Sequence, residues 1–189
     1  MAPEERDLVR AARSGDDDAF GRLVEKTQSR LVRLIRGIVR DDDEAMDLVQ
    51  ETYIKAHRSL DTFREGSAFG TWLHRIGVNA AIDHLRKRSA FSPASLEDAG
   101  SWEGGGEDPA GTSGRPTPDR LLEGEEAGKA IRRALESMPP EHKATILLRE
   151  LEGLSYDEIA EITGAAVGTV MSRLFYVRRK LRDALREHR

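Results

Sequence analysis

The chain has 189 residues, of which 38% are hydrophobic and 34% charged, and its formal net charge is −4. It has no cysteine, which excludes disulfides, thiolate zinc sites and cysteine nucleophiles. The N-terminus lacks the apolar core of a signal peptide, and no apolar run approaches the roughly 18 residues of a membrane span. We therefore expect a cytoplasmic protein with no membrane insertion.

Helical periodicity follows the acidic run 16–18, which stands where a helix N-terminus favours negative charge. Apolar residues recur at spacings of three and four across 20–38, as one face of a helix requires. A second acidic run, 41–44, precedes another helical stretch. The loop "DTFREGS" comes next, and Ser67 is predicted to cap the helix after it. No stretch alternates polar and apolar residues as a strand would.

The stretch "FGTWLHRIGVNAAIDHLRKR", residues 69–88, predicts a helix with two apolar arcs at about 100° per residue. A polar stripe of Arg75, Asn79 and Arg86 lies between the arcs. Asn is unfavourable inside a helix, and between two Arg it suits a nucleic-acid base beside a phosphate. An internal hydrogen bond or a solvated position is the alternative for Asn79. For Phe69 and Trp72, burial in the core is favoured over base stacking.

From Ser89 to about Pro118 the pattern dissolves into Gly, Ser, Pro and acidic residues, which predicts a flexible linker. Helical spacing resumes near Arg120, breaks at Pro139 and Pro140, and continues to the end of the chain. The sequence thus predicts an all-α fold of two small helical domains. An N-terminal helical bundle (1–90) and a C-terminal helix-turn-helix domain (119–189) would be joined by a flexible acidic linker (91–118).

The helix-turn-helix prediction depends on local signals in the last 35 residues. Ser155 and Glu158 form an S-x-x-E capping box, and Gly164 suits a tight turn that needs positive φ. Val170 would pack the second helix against the first. A capped helix, a Gly turn and a longer helix form a DNA-binding unit. The tail is basic despite the negative net charge; a plain helical hairpin with a solvated basic helix is the alternative.

Two segments carry a resemblance to a known family. "DLVQETYIKAHRSLDTF" with "AFGTWLHRIGVNAAIDHLRKR" resembles the first conserved domain of bacterial sigma factors of the extracytoplasmic-function type, within the sigma-70 family. "LRELEGLSYDEIAEITGAAVGTVMSRLFYVRRKLR" resembles the second. The resemblance implies a region 2-like domain at 1–90 and a region 4-like domain at 119–189. It also implies a protein that joins core RNA polymerase and directs it to promoter DNA.

The resemblance implies three groups of site residues. The polymerase clamp helices would contact Asp47, Gln50 and Glu51, although these positions alone indicate only a solvated face. Single-stranded DNA of the −10 element would contact Phe63, Arg64, Ser67, Ala68, Arg75, Asn79, Arg86, Lys87 and Arg88. Duplex DNA of the −35 element would contact Thr169, Ser172, Arg173, Tyr176, Arg178 and Arg179.

Other consequences stay open at the level of sequence. Met171 and Tyr176 stand where family members often carry Arg or Lys, which leaves the −35 base preference undetermined. Lys87 and Arg88 could equally stabilise a helix C-terminus. The acidic linker would run toward the RNA path of the polymerase, or would be a spacer. Family members are commonly held inactive by an anti-sigma factor, so such a partner is expected.

Two other classes of function compete with a sigma factor. A helix-turn-helix transcriptional regulator would act without being a polymerase subunit and would bind specific duplex DNA tightly by itself. A helical adaptor would leave the basic tail and the Gly turn unexplained. An enzyme is not expected, because the five His residues are scattered and no phosphate-binding Gly loop is present. We expect no catalytic residues, no metal site and no cofactor.

Overall fold

The computed structural model describes residues 3–39, 41–64, 66–90 and 118–186, without the side chains of 89–90 and 118–126. Within these ranges the chain forms α-helices and one short 3₁₀ helix, Leu60–Thr62, and no strand. The α-helices are α1 (Pro3–Arg13), α2 (Asp17–Ile38), α3 (Asp42–Arg58), α4 (Phe69–Ala90), α5 (Pro118–Glu136), α6 (Pro140–Glu150), α7 (Tyr156–Thr163) and α8 (Val167–Arg186). The prediction of an all-α fold is confirmed.

The acidic runs supply the caps of α2 and α3. The Asp16 carboxylate accepts a hydrogen bond from the backbone N–H of Ala19 at 3.0 Å, and Asp41 accepts one from Glu44 at 3.0 Å. Each cap satisfies backbone donors that have no partner within the helix. The expected cap of α4 is wrong: the helix begins at Phe69, so Ala68, and not Ser67, precedes its first residue.

Helix α1 was not predicted. It buries only Leu8, Val9 and Ala12, a pattern too short to stand out as helical periodicity. The helix packs on α2, and Arg13 at its end donates hydrogen bonds to the backbone carbonyls of Leu60 and Phe63. Helix α1 therefore fixes the segment that leads into α4.

The first block of the protein comprises α1 to α4. Its core includes a cluster of three rings, Phe63, Phe69 and Trp72, whose centroids lie 5.3 to 6.0 Å apart. All three side chains are buried, so the core interpretation of Phe69 and Trp72 is confirmed. Helix α4 crosses α2 closely at Gly77, where a Cβ atom would lie 3.0 Å from Leu31 Cδ1. A Cβ atom there would require the Leu31 and Ile35 side chains to shift by a few tenths of an ångström.

The second block comprises α5 to α8 and contains the predicted helix-turn-helix. Glu158 N–H donates to Ser155 Oγ at 3.2 Å, and Ser155 N–H donates to the Glu158 carboxylate at 2.8 Å, which completes the capping box. Gly164 follows α7 with φ of +64°, a conformation that favours glycine. Val170 is fully buried on α8. These local predictions are confirmed.

The two blocks also pack against each other. Helix α6 packs on α2, α7 packs on α4, and one cluster of buried apolar residues runs through both blocks. At Gly37 a Cβ atom would lie only 2.7 Å from Leu147 Cδ1, so glycine permits this close approach. The sequence predicted two domains on a tether and gave no sign of this contact. The expected linker, apart from Pro118, which begins α5, lies outside the described residues.

Candidate nucleic-acid interface

The polar stripe of α4 divides into an exposed part and a part engaged by the second block. Asn79 is exposed, and within the described ranges its amide has no hydrogen-bond partner. Arg86 is bound by Glu141 of α6, with Nε 2.9 Å and Nη2 2.6 Å from one carboxylate oxygen. Arg75 Nη1 lies 3.7 Å from Glu161 of α7. The predicted stripe therefore has no partner at Asn79 among the described residues, whereas each of its two arginines is paired with an acid of the second block but stays partly exposed.

The contact between Arg86 and Glu141 changes the titration of the acid. Burial alone would raise the pKa of Glu141, but a hydrogen bond from its own backbone N–H and the Arg86 guanidinium lower this pKa below its ordinary value. Glu141 is thus held ionised at the start of α6, where its charge also suits the helix N-terminus. Arg86 remains largely solvent-exposed, so the pair contributes little to stability.

A buried pair of titratable groups lies deeper between the blocks. His74 of α4 is 6% exposed, Glu152 after α6 is 3% exposed, and Nε2 lies 3.9 Å from the carboxylate. Burial lowers the pKa of His74; Glu152 opposes this shift and Arg30 adds to it. Arg33 of α2 approaches the same carboxylate at 3.7 Å. The acid therefore faces two helices of the first block at once.

The remaining −10 candidates differ in accessibility. Arg64 and Lys87 are exposed, and Ser67 and Ala68 are half-buried. Arg88 is exposed, but its Nη1 donates to both oxygens of Glu44, at 3.0 and 2.9 Å. The expected DNA contact of Phe63 is wrong. Its ring is 2% exposed and packs between Phe69, Trp72 and Arg13, so it belongs to the core of the first block.

The polymerase-binding candidates share one exposed face of α3. Asp47, Gln50 and Glu51 are all exposed, and Glu51 pairs with Lys55 one turn later at 2.7 Å. Ile54 is 51% exposed and lies on this face, seven residues after Asp47. Sequence reasoning missed Ile54 because an apolar residue inside a helix is usually assigned to the core. The face thus combines charged and apolar groups, as protein interfaces do.

The −35 candidates lie along α8. Thr169 and Ser172 are exposed near its start, and the Ser172 hydroxyl donates to the Thr169 carbonyl at 3.0 Å. Tyr176 is half-buried, with its ring edge-on to His142 of α6 at 5.1 Å, so it packs between helices. Arg173 is half-buried and lowers the pKa of both His142 and Glu141 through its charge.

The basic residues of α8 continue this surface toward the C-terminus. Arg178 Nη2 lies 3.2 Å from Glu150 of α6, and Arg179 lies over the Tyr176 ring. Arg182 and Arg186 are exposed further along the helix. The start of α8 is thus open and its second half is basic, a distribution that suits the groove floor and the phosphates of duplex DNA.

Comparison with known proteins decides between the functions that this geometry allows. The model of Sigma-70 region 2 matches residues 23–91, and the model of Sigma-70, region 4 matches residues 128–181. The chain belongs to the sigma-70 family. These matches place the α3 face and the stripe of α4 in region 2, and the helix-turn-helix in region 4.

Similar proteins agree over nearly the full length. The RNA polymerase sigma-H factor of Pseudomonas aeruginosa is 40% identical over 190 residues, which cover 98% of this chain and 96% of that protein. The ECF RNA polymerase sigma-E factor of Escherichia coli K12 is 41% identical over 174 residues, with 90% and 88% covered. The crystal of sigma factor RpoE with the anti-sigma factor NepR from Bartonella quintana shows a similar fold, at 26% identity and a TM-score of 0.63, with 90% and 98% covered.

These comparisons confirm the prediction, made from the two quoted segments, that the chain is a sigma factor. It is a transcription initiation factor that works with core RNA polymerase at promoters, and the alternative of a regulator acting outside the polymerase is not favoured. Within the described ranges, no helix has the length and apolar character to cross a membrane. In the same part of the chain, no three His, Asp or Glu side chains are grouped to hold a metal ion.

Sequence reasoning missed the acids that face α4. Glu141, Glu152 and Glu161 all lie in the second block of the sigma factor, far along the chain from the basic and His side chains that they approach. Their spacing from one another marks no helix face, because they belong to α6, a loop and α7. Only the packing of the two blocks brings them to one surface.

Proposed function

We propose that this sigma factor uses three separate surfaces in promoter-directed initiation. The exposed face of α3, with Asp47, Gln50 and Glu51, binds the polymerase. Asn79 of α4 holds single-stranded −10 DNA, together with the exposed basic residues before this helix and at its end, Arg64, Lys87 and Arg88. The start of α8 enters the major groove of the −35 element. The corresponding boundaries are 1–90 for the region 2 domain, 91–118 for the linker and 119–189 for the region 4 domain.

The observation that carries the proposal is the exposure of all three surfaces in one family member. Asn79 lies on a helix whose two flanking sides are buried, so its backbone position is fixed, while its exposed amide has no partner within the described ranges. An extruded base needs hydrogen-bond donors and acceptors at its edge to offset the cost of unstacking. Asn79 supplies both, and Arg75 and Arg86 on the same stripe supply charges for the adjacent phosphates.

Separation of the two blocks would free the arginines of α4 from their acidic partners. Glu141 and Glu161 of the second block now occupy Arg86 and Arg75. A phosphate would compete with these carboxylates for the same donors. Binding of polymerase to the α3 face and of duplex DNA to α8 would draw the blocks apart and release both arginines. DNA binding by the free chain is then weaker than binding by the holoenzyme.

An anti-sigma factor is the partner proposed for the inactive state. The structural relative from Bartonella quintana was crystallised with an anti-sigma factor, NepR. A partner of this kind would stabilise the packed arrangement of the two blocks, in which Arg75 and Arg86 are already paired with acids. The sigma factor itself is proposed to carry no catalytic site and no cofactor, since the polymerase supplies the chemistry, and to act in the cytoplasm.

In vitro transcription with purified core polymerase on sheared genomic DNA tests the proposal. Discrete transcripts that appear only with the chain, and that begin downstream of shared −10 and −35 elements, are expected. A variant with Asp47, Gln50 and Glu51 all changed to Ala should lose these transcripts because it no longer joins the polymerase. The proposal would be contradicted if the chain left transcription by core polymerase unchanged and bound duplex DNA tightly by itself.

Asn79→Ala should lower promoter opening and relax the preference at one −10 base, while polymerase binding stays unchanged. The loss of a bidentate base contact predicts about a 5- to 100-fold effect on discrimination. Gln28→Ala, which removes an exposed amide from α2, is the matched control. Permanganate reactivity of unpaired thymines measures opening. Unchanged opening and unchanged base preference would contradict the role given to Asn79.

A further inference from the structure

The start of α8 presents apolar side chains where a DNA-reading helix usually presents polar ones. Met171 is 54% exposed and Val167 is 38% exposed. Their spacing of four residues places them on the same side of the helix. Phe175, a further four residues along, is half-buried on the same arc. Together, Val167 and Met171 form a small apolar patch at the start of α8 that a partner can contact without a change in the fold.

The polar residues near this patch are mostly engaged within the protein. Tyr176 packs against His142, and Arg173 stands beside Glu141 and His142 of α6. The Ser172 hydroxyl donates a hydrogen bond to the Thr169 carbonyl. Thr169 is exposed and keeps its hydroxyl available at the other edge of the helix. The first turns of α8 therefore offer two exposed apolar side chains, Val167 and Met171, beside the exposed hydroxyl residues Thr169 and Ser172.

Duplex DNA fits this combination of groups. The major groove admits one α-helix, and thymine is the base that presents an apolar group there, its 5-methyl. The second half of α8 is basic, with Arg179 and Arg182 exposed, so it can lie along phosphates while the first half faces the base edges. The first residues of α8 follow shortly after the turn at Gly164, and Val167, Thr169 and Met171 are exposed there.

We infer that Val167 and Met171 determine the −35 specificity of this protein by contacting the 5-methyl groups of thymines in the major groove. The inference rests on the proposed function, since it names the bases that the same helix reads. Thr169 and Ser172 hydrogen-bond to neighbouring base edges or phosphates. The −35 element therefore contains A·T pairs at the positions that Val167 and Met171 face.

The test removes only the methyl group. Holoenzyme formed from the full chain and core polymerase is assayed on a duplex promoter found by the transcription experiment. Each −35 thymine is replaced in turn by deoxyuridine, and the rate of open-complex formation is measured. We expect about a three- to fivefold slower rate at one or two positions, as the loss of one buried methyl contact predicts. Deoxyuridine in the spacer between the elements is the control and should have no effect.

Substitutions in α8 link the effect to the proposed residues. Met171→Ala should slow the thymine template to about the rate of the deoxyuridine template and abolish the difference between them at one position. Val167→Ala should do the same at a neighbouring position. Met171→Arg should shift the preferred base at its position from thymine toward guanine, which accepts two hydrogen bonds from arginine. Met171 is exposed, so these variants are expected to fold.

The outcomes separate this inference from the proposed function. If transcripts depend on the chain but deoxyuridine has no effect at any −35 position, the inference is wrong and the proposed function stands. The inference is also wrong if the −35 element has no A·T pair. Equal slowing of both templates by Met171→Ala would show that the patch contacts a protein instead. No chain-dependent transcript at all would contradict the proposed function itself.

Discussion

Helices α4 and α8 are similar in length and both mix apolar, polar and basic residues, yet they differ in how much of their surface is packed against other helices. Helix α4 is packed on α2 and α3 of its own block and on α6 and α7 of the other. Its arginines are bound by acids, and its rings are buried. Helix α8 buries one side, through Val170, Leu174 and Val177, and leaves its first turns uncovered.

The difference shows that exposure, more than residue type, decides which helix is ready to bind DNA. Arg75 and Arg86 of α4 are paired with acids of the second block, so DNA phosphates would have to compete with these acids. The apolar residues at the start of α8 face solvent, so they can meet DNA without such a change. Under the proposed function, the packed arrangement would restrain −10 contacts more than −35 contacts.

The largest expected effect comes from the buried side of α4. Phe69→Ala should lower the free energy of unfolding by about 3–5 kcal/mol, because the ring is fully buried against Phe63 and Trp72. Met171→Ala on α8 should change it by less than about 0.5 kcal/mol, since that side chain is exposed. Urea unfolding followed by circular dichroism measures both. Equal losses for the two variants would remove the contrast between the helices.

A smaller effect is expected from the acids that cover α4. Glu141→Gln with Glu161→Gln should raise the affinity of the free chain for a single-stranded −10 oligonucleotide about two- to fivefold at low salt, because the arginines lose competing carboxylates. Asp18→Asn with Glu25→Gln removes the same charge from exposed sites on α2 and is the matched control. An equal gain in the control would mean that net charge alone is responsible. Fluorescence anisotropy gives both affinities.

The smallest expected effect is a pH dependence of stability from the buried side of α4. Burial lowers the pKa of His74 from its ordinary value of 6.5, so the unfolded chain takes up a proton more readily than the folded chain. Stability from this group is complete above about pH 6.5 and is lost as the pH falls below that value. Burial lowers the pKa of His142 as well, and this adds to the loss with the same sign.

Thermal melts between pH 7.5 and 5.5 test this sign. The wild type should melt at lower temperature as the pH falls, and His74→Gln should show a shallower slope. His142→Gln separates the second histidine, and the double variant should be nearly flat. A carboxylate with lowered pKa, such as Glu141, acts only at more acidic pH. A wild type that becomes more stable on acidification would mean that attraction between protonated His74 and Glu152 outweighs burial.

Much of the candidate site followed from the sequence. The stripe with Asn79, the exposed acids of α3 and the open start of α8 were all located from helical spacing and the family resemblance. The exceptions were residues whose neighbours come from elsewhere in the chain. Phe63 was expected at DNA and lies in the core. Tyr176 packs one edge on His142 but is only half-buried, so its contact with the groove stays a prediction. Aromatic side chains suit either place, so type and position did not decide.

The sequence by itself determined the helices other than α1, the acidic starts of α2 and α3, the capping box of α7 and the turn at Gly164, because each depends on residues within a few positions of one another. Two longer segments determined the family. Only the tertiary structure decided that the two blocks pack together and that Arg86 meets Glu141, 55 positions away. A contact across that separation leaves no trace in helical periodicity. It depends on how the faces of α2 and α4 fit α6 and α7, a property of packed surfaces and not of any one segment.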